Sequence, residues 1–486
     1  MKRKRQPSAL LRWRFIVICV ALSALAATLV GRLILLQITD GGQGAVFLRE
    51  QGALRTVRTA EIPVYRGLIE DRNGTPLAVS SPVVSLWANP QQLTDSPRLN
   101  DLATLLSLDA SALQDKLNFY GDKQFMYLAR HQTPDFARRV LREGFVGVRG
   151  EREYRRYYPA GEVTAQVLGL TNVDGHGIAG VELAFEEWLR GVPGKKRFIK
   201  DLHGEAVRDF GLIEEPRPGK ALALSLDLRL QYVQHRELQR AMRETGAAAG
   251  SAVTLDAWTG EVLAVSNYPV FNPNSREALD FSSARNRALT DAYEPGSTIK
   301  TLTLVAALES RQFHIDSLVD TAPGRIRVGA KVLHDPRNYG EISVSKIIEK
   351  SSQVGVTKMA QAVGHEAILD VLYRFGLGES TGTGFPGERT GRLPAPTHWS
   401  EIEKVTLAFG YGLTATPIQL ARAYAVLANG GMRRPLTLLK RDLDDLPPGK
   451  QVIDADIAAA VLEVLDRVTG PGGTATLARV PGCSGG

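Results

Sequence analysis

Ser297 and Lys300 stand three residues apart in the run Glu294-Pro295-Gly296-Ser297-Thr298-Ile299-Lys300, and the largely apolar stretch from Thr301 to Leu308 follows at once. Residues three apart on a helix share a face, so the hydroxyl and the amine fall within proton-transfer reach near the helix start. An amine sheltered from water loses its proton near neutral pH and can then act as base toward the adjacent hydroxyl. Such a pair makes an ordinary serine a nucleophile, and the chemistry it serves is acyl transfer. The spacing alone says little, because Ser343-Val344-Ser345-Lys346 repeats it and a match taken by itself is more often a solvated helix turn. Setting separates the two. Pro295 and Gly296 make a turn that opens a helix, and Leu302, Leu304, Val305, Ala306, Ala307 and Leu308 mark that helix as core-buried. The second Ser-x-x-Lys has no such surroundings.

The elements that must carry this pair can be read along the chain. With 486 residues the protein exceeds one compact core and calls for two or three domains. From Glu50 to about Pro218 the pattern is turn-rich and strand-like, with alternation over Val79 to Trp87 and helical stretches at Leu99 to Tyr120 and Glu182 to Arg190. No convergent polar constellation appears in this part, which reads as a stalk or interaction module. The Pro/Gly run Glu214-Glu215-Pro216-Arg217-Pro218-Gly219 marks a boundary. Asp227 then caps an amphipathic helix ending at Gly246, whose Leu228, Leu230, Val233, Leu238 and Met242 recur at helical spacing. Ser251 to Asp256 and Glu261 to Asn267 form a hairpin around Trp258-Thr259-Gly260. Helical patterns fill most of Ser297 to Gly376, then Leu407 to Gly430 and Ala455 to Val468. A lone hairpin is marginal in water and its open edges invite pairing, so further strands are expected past residue 486.

Composition is that of a folded protein, 44% hydrophobic and 23% charged. The net charge of +7 is a topology signal rather than a nucleic-acid signal: Lys2, Arg3, Lys4, Arg5, Arg12 and Arg14 supply most of it, and no acidic residue precedes Asp40. Behind this basic flank, Phe15 to Gly31 is uncharged, and Leu33 to Ile38 extends the run past Arg32 to the length that spans a bilayer, about 20 residues. Arg32 can snorkel to the headgroups. The basic end stays cytoplasmic and the rest is exported. No small-x-small cleavage site stands cleanly after the apolar run, which favours an uncleaved anchor over a signal peptide. Cys19 and Cys483 are too few for a disulfide framework. The eight histidines are scattered without metal-ligand spacing, so neither a metal nor a cofactor is expected.

The residues quoted so far, together with Arg66-Gly67-Leu68-Ile69-Glu70-Asp71-Arg72-Asn73-Gly74, Tyr158-Pro159-Ala160-Gly161, Gly180-Val181-Glu182-Leu183-Ala184-Phe185 and Gly410-Tyr411-Gly412-Leu413-Thr414-Ala415-Thr416-Pro417-Ile418-Gln419-Leu420, resemble the class B penicillin-binding proteins along nearly the whole chain after the anchor. The resemblance implies an α+β protein in four parts. These are a cytoplasmic tail (1–14), a transmembrane helix (15–38), an elongated periplasmic pedestal of the dimerisation type (39–218), and a transpeptidase domain (219–486) with an antiparallel sheet flanked by helices. It further implies a single-pass inner-membrane enzyme that cross-links peptidoglycan stem peptides at the division septum. Ser297 would attack between the two terminal D-alanines, with Lys300 as base and the Ser297 backbone N–H as half of an oxyanion hole. Beta-lactams would acylate the same serine, and division proteins including a glycosyltransferase would be partners.

Two departures from the family pattern stand out. The Ser-x-Asn motif appears as Ser351-Ser352-Gln353: Ser351 can still relay a proton, and Gln353 keeps the amide but adds a methylene. The Lys-Thr/Ser-Gly motif, expected after a segment such as Val480-Pro481-Gly482, has no match, which with the unfinished sheet points to a C-terminally incomplete domain. A non-catalytic division scaffold and a membrane-bound beta-lactam receptor or beta-lactamase are the competing functions. Tyr411, beside Gly412 in a Gly-rich loop, either lines the substrate cleft or packs. Asp335 and Arg337 lie in a polar loop and fit solvated charges better than rim residues.

Overall fold

The computed structural model describes residues 9–38, 57–200, 206–275, 282–395 and 398–480. Lys2 to Arg5 of the basic flank, and Pro481, Gly482 and Cys483, lie outside the described residues. The chain forms two compact bodies, one from residues 1–64 and 192–217, the other from 65–191 and 218–486. The third and last crossing, at Arg217 to Pro218, falls within the Pro/Gly run noted in the sequence.

In the first body the apolar sequence behind the basic flank forms a helix, Ala9–Ile38. Its segment Arg12–Ile34, 23 residues, is long and apolar enough to cross a membrane and fits a single-pass anchor. The same body holds a three-stranded antiparallel sheet in which Gly194–Lys200 runs between Val57–Ile62 and Ala206–Glu214.

The second body begins with a five-stranded sheet built around the 13-residue strand Pro76–Ala88. Its alternating residues pair antiparallel with Met126–Gln132 on one edge, and with Val148–Tyr157 and Ile69–Glu70. Leu222–Ala223 adds a short parallel strand to Ile69–Glu70. Leu86, Leu102, Leu117, Met126, Val140 and Phe145 bury a small core on this sheet. The helical stretch read over Leu99 to Tyr120 is two helices, Leu99–Leu105 and Ala110–Phe119. Ser107 breaks it with a φ of 55°, and Asp109 starts the second helix by accepting Ala112 N at 2.9 Å. Glu182 to Arg190 likewise splits, into Gly180–Ala184 and Glu186–Arg190.

That split serves a buried charge cluster. Glu182, with no exposed surface, accepts Arg66 Nε at 2.5 Å and Arg156 Nε at 2.6 Å, one on each carboxylate oxygen. Glu186 accepts Arg66 Nη1 at 2.6 Å and Gly177 N at 2.8 Å. Segments separated by 116 residues are thereby tied together at one point.

The helix Leu228–Thr245 starts at Asp227 and ends at left-handed Gly246, as the sequence expects. The buried face differs from the expected stripe, because Val233 is exposed whereas Gln231 and His235 are buried. The helix docks on the hairpin Gly250–Leu255/Val262–Tyr268 by polar contacts. Gln231 exchanges bonds with Val265, Nε2 to O at 2.7 Å and N to Oε1 at 2.8 Å, and Gln234 Nε2 donates to Ala252 O at 3.0 Å. Amide side chains there satisfy strand groups, so a purely apolar reading of the helix misplaces its face.

Helical pattern was expected through most of Ser297 to Gly376, yet two small ribbons interrupt it: Leu318–Asp320 with Glu341–Ser343, and Arg325–Val328 with Lys331–His334. The alternation Arg325-Ile326-Arg327-Val328 and the turn at Gly329, φ 56°, account for them. Around them helices Lys300–Glu309, Gln353–Val363, His365–Arg374, Pro417–Ala428 and Ala455–Thr469 surround the main core, in which Leu304, Ile347, Met359, Phe375, Leu427 and Val464 are buried. Replacing Glu182 by Ala strands the buried Arg156 guanidinium and leaves Arg66 only its Glu186 carboxylate, which should cost about 3 to 5 kcal/mol, read as a lowered midpoint in thermal or denaturant unfolding.

Candidate active site

Ser297 sits in the 3₁₀ turn Gly296–Ile299, which runs directly into helix Lys300–Glu309. Lys300 N donates to Ser297 O, closing the turn that separates the two side chains. The helix is held from behind by its buried Ile299, Leu302, Leu304 and Val305 and from the side by hydrogen bonds. Thr303 Oγ1 donates to Ala408 O at 2.8 Å. Tyr424 Oη, on helix Pro417–Ala428, reaches Thr298 O at 2.8 Å and Thr301 Oγ1 at 3.0 Å.

The Gly-rich loop lies on the turn that precedes Ser297. Gly296 N donates to Gly410 O at 3.2 Å, and a Cβ on Gly410, whose φ is +84°, would stand 2.1 Å from Gly296 O. Only glycine permits that approach. Glu294 Oε1 accepts Gly412 N at 2.9 Å, and Tyr293 and Ala415 exchange backbone bonds at 3.1 and 3.0 Å. Gly412 is therefore adjacent to the Ser297 turn, while Tyr411 is exposed, its ring 5.9 Å from that of Phe409.

Lys300 is 5% exposed. Its amine donates to Ser351 O at 2.6 Å and to Ser351 Oγ at 2.9 Å. Burial pushes this group down to about 8, and the negative charge of Asp335 draws it partly back up. The sequence pairs Lys300 with Ser297. The structure places the amine on Ser351, and the exposed Ser297 hydroxyl has no hydrogen bond among the described residues. Lys300 thus meets Ser351, a partner brought by tertiary packing, while Ser297 stands one turn away along the chain.

Ser351 links the end of helix Val344–Glu349 to the start of Gln353–Val363 and has a φ of 52°. Gln353 occupies the first turn of the second helix, half-buried, its side-chain amide without a partner among the described residues. Ser352 caps that helix through Gly355 N at 2.9 Å. Asp335 departs from its reading as a solvated loop charge. It is 9% exposed and accepts Ser352 Oγ, Gln353 N and Val354 N. Its partners lie 17 to 19 residues ahead, beyond any local pattern; the one local cue is Pro336, because a residue before proline is disfavoured in a helix. Glu294 and Tyr424 were also missed, for the same reason.

The other Ser-x-x-Lys is a helix cap. Ser343 Oγ accepts Lys346 N at 3.2 Å, Lys346 Nζ pairs with Glu349 at 2.7 Å, and Ser345 Oγ donates to Ile315 O. Every polar group there is used structurally.

Comparison with known proteins places these features in a family. The family model described as the penicillin binding protein transpeptidase domain matches residues 250–484, and that of the penicillin-binding protein dimerisation domain matches residues 61–224. Peptidoglycan D,D-transpeptidase FtsI of Escherichia coli K12 is 38% identical over 487 residues, covering 99% of this chain and 81% of that protein. Probable peptidoglycan D,D-transpeptidase PbpC of Pseudomonas aeruginosa is 40% identical over 477 residues, covering 97% and 82%. The crystal structure of penicillin binding protein 3 from Mycobacterium tuberculosis, complexed with aztreonam, superposes with a TM-score of 0.65 at 28% identity, covering 87% of this chain and 80% of that one. The chain belongs to the class B penicillin-binding proteins, the family of the peptidoglycan D,D-transpeptidases.

Proposed function

We propose that the chain is a serine peptidoglycan D,D-transpeptidase, anchored by its N-terminal helix with the second body in the periplasm. The observation that carries this reading is the buried Lys300 amine one turn from the exposed Ser297 and bonded to Ser351. Neutral Lys300 accepts the Ser297 proton as Oγ adds to the carbonyl carbon of the penultimate D-alanine of a stem peptide. Collapse of the adduct breaks the C–N bond, Ser351 passes a proton to the departing D-alanine, and an acyl ester remains on Ser297. The amine of a neighbouring stem then attacks the ester, reversing the proton path and restoring the serine. The Ser297 N–H contributes one oxyanion donor, and Tyr411, Gly412 and Gln353 border the substrate.

A beta-lactam offers the same carbonyl, so its ring opens onto Ser297 and the ester persists. Action at the division septum, with a glycosyltransferase and other division proteins as partners, is the corresponding cellular reading, supported by likeness to the relatives named above.

A fluorescent penicillin should label the full-length protein in membranes, and Ser297→Ala should abolish the label; an unlabelled wild-type chain would favour a scaffold instead. Because the neutral amine is the base, acylation should climb as pH rises through about 8, and Lys300→Met should slow it by about 10² to 10⁴. Gln353→Asn draws the amide back by one methylene, so its acylation rate should rise, by up to about a hundredfold if the present amide is displaced by about 1 Å. An unchanged rate would mean that the longer arm already reaches its place.

A further inference from the structure

Asp335 has no part in the steps above, yet three donors converge on it: Ser352 Oγ on Oδ2 at 2.6 Å, and Gln353 N and Val354 N on Oδ1 at 2.6 and 3.1 Å. These are the residues that follow Ser351. On the other side, Ser351 N bonds Ile348 O at 3.0 Å and Ser352 N bonds Ile347 O at 2.8 Å. Ser351 is thus the single link between two pinned ends. It occupies the left-handed region, φ 52°, which a non-glycine side chain enters at a cost. In that conformation both its hydroxyl and its carbonyl oxygen meet the Lys300 amine. Asp335 and Ser352 divide the free N–H groups of the helix start between them, Asp335 taking Gln353 N and Val354 N and Ser352 taking Gly355 N, so the carboxylate ties the segment after Ser351 from outside the helix.

We propose that Asp335 is a positioning residue for the Lys300–Ser351 pair, clamping the chain after Ser351 so that its hydroxyl and carbonyl both face the amine, and balancing the charge of Lys300. The inference rests on the reading of Lys300 as the base. Asp335 is the charged group that acts on the Lys300 amine. On the elements packed against helix Lys300–Glu309, Glu366, Asp456 and Asp466 are exposed to solvent, and the remaining charges are held elsewhere. Lys346 and Lys350 pair with Glu349, Arg374 with Glu309 and Asp370, and Arg467 with Glu463. Lys358 donates to Asp320 O, and Glu294 accepts Gly412 N.

Asp335→Asn keeps the size and one acceptor while removing the charge, and Ser352→Ala removes one tie while keeping the charge. In the full-length protein, the pH dependence of Lys300 acetylation by acetic anhydride, followed by peptide mass, gives the amine titration without any need for catalysis. The Lys300 midpoint should fall in Asp335→Asn and stay in place in Ser352→Ala. Penicillin acylation should slow in both, by up to about a hundredfold. A midpoint in Asp335→Asn equal to or above wild type overturns the inference, as does wild-type acylation by Ser352→Ala. If Asp335→Asn does not fold, Ser352→Ala decides alone. A wild-type chain that takes no penicillin would sink the transpeptidase reading, and the Lys300 titration would still judge Asp335.

Discussion

One desolvated amine sets the terms for the larger body. Lys300 is nearly out of water, and an ammonium there is costly unless its hydrogens are met. The chain meets them with a carbonyl and a hydroxyl from a single residue, Ser351, at 2.6 and 2.9 Å. Burial holds the amine down at about 8, and the two Ser351 contacts fix the direction in which it can act. Helix Lys300–Glu309 is accordingly among the most buried in the protein, with apolar side chains on every side.

Positions around that amine are set by backbone approach rather than by side-chain bulk. Gly410 against Gly296 brings the Gly-rich loop onto the Ser297 turn, and Glu294 and Tyr293 fasten it there. On the opposite side the strained Ser351 is held between two helices whose ends are both hydrogen-bonded. Strain of this kind persists only where neighbours over-determine it, and here they do. The five-stranded sheet uses the complementary device. Glu182, bonded to Arg66 and Arg156, joins distant segments through charges that would be expensive if separated.

Legibility in the sequence followed the range of the interactions. Ser297 and Lys300 were readable because their relation is one helical turn and their setting is a turn followed by an apolar run. The apolar helix Ala9–Ile38 and the capped helix Leu228–Thr245 were readable for the same reason, since period, caps and length are local properties. The docked face of the latter was not, because Gln231 and Gln234 pair with strand backbone that periodicity does not register. Ser107 hid a helix break, since nothing in its type announces a positive φ.

The sequence by itself determined the Ser297–Lys300 pair and its setting, the apolar helix ahead of them and the family likeness, because each is encoded by residue type at short spacing. Tertiary structure alone decided that the amine rests on Ser351 rather than Ser297, and that Asp335 is buried at a helix start rather than solvated. It also decided that a second Ser-x-x-Lys is merely a cap. Those outcomes depend on which distant groups are brought together and how much water is excluded between them, and neither quantity is written in local spacing.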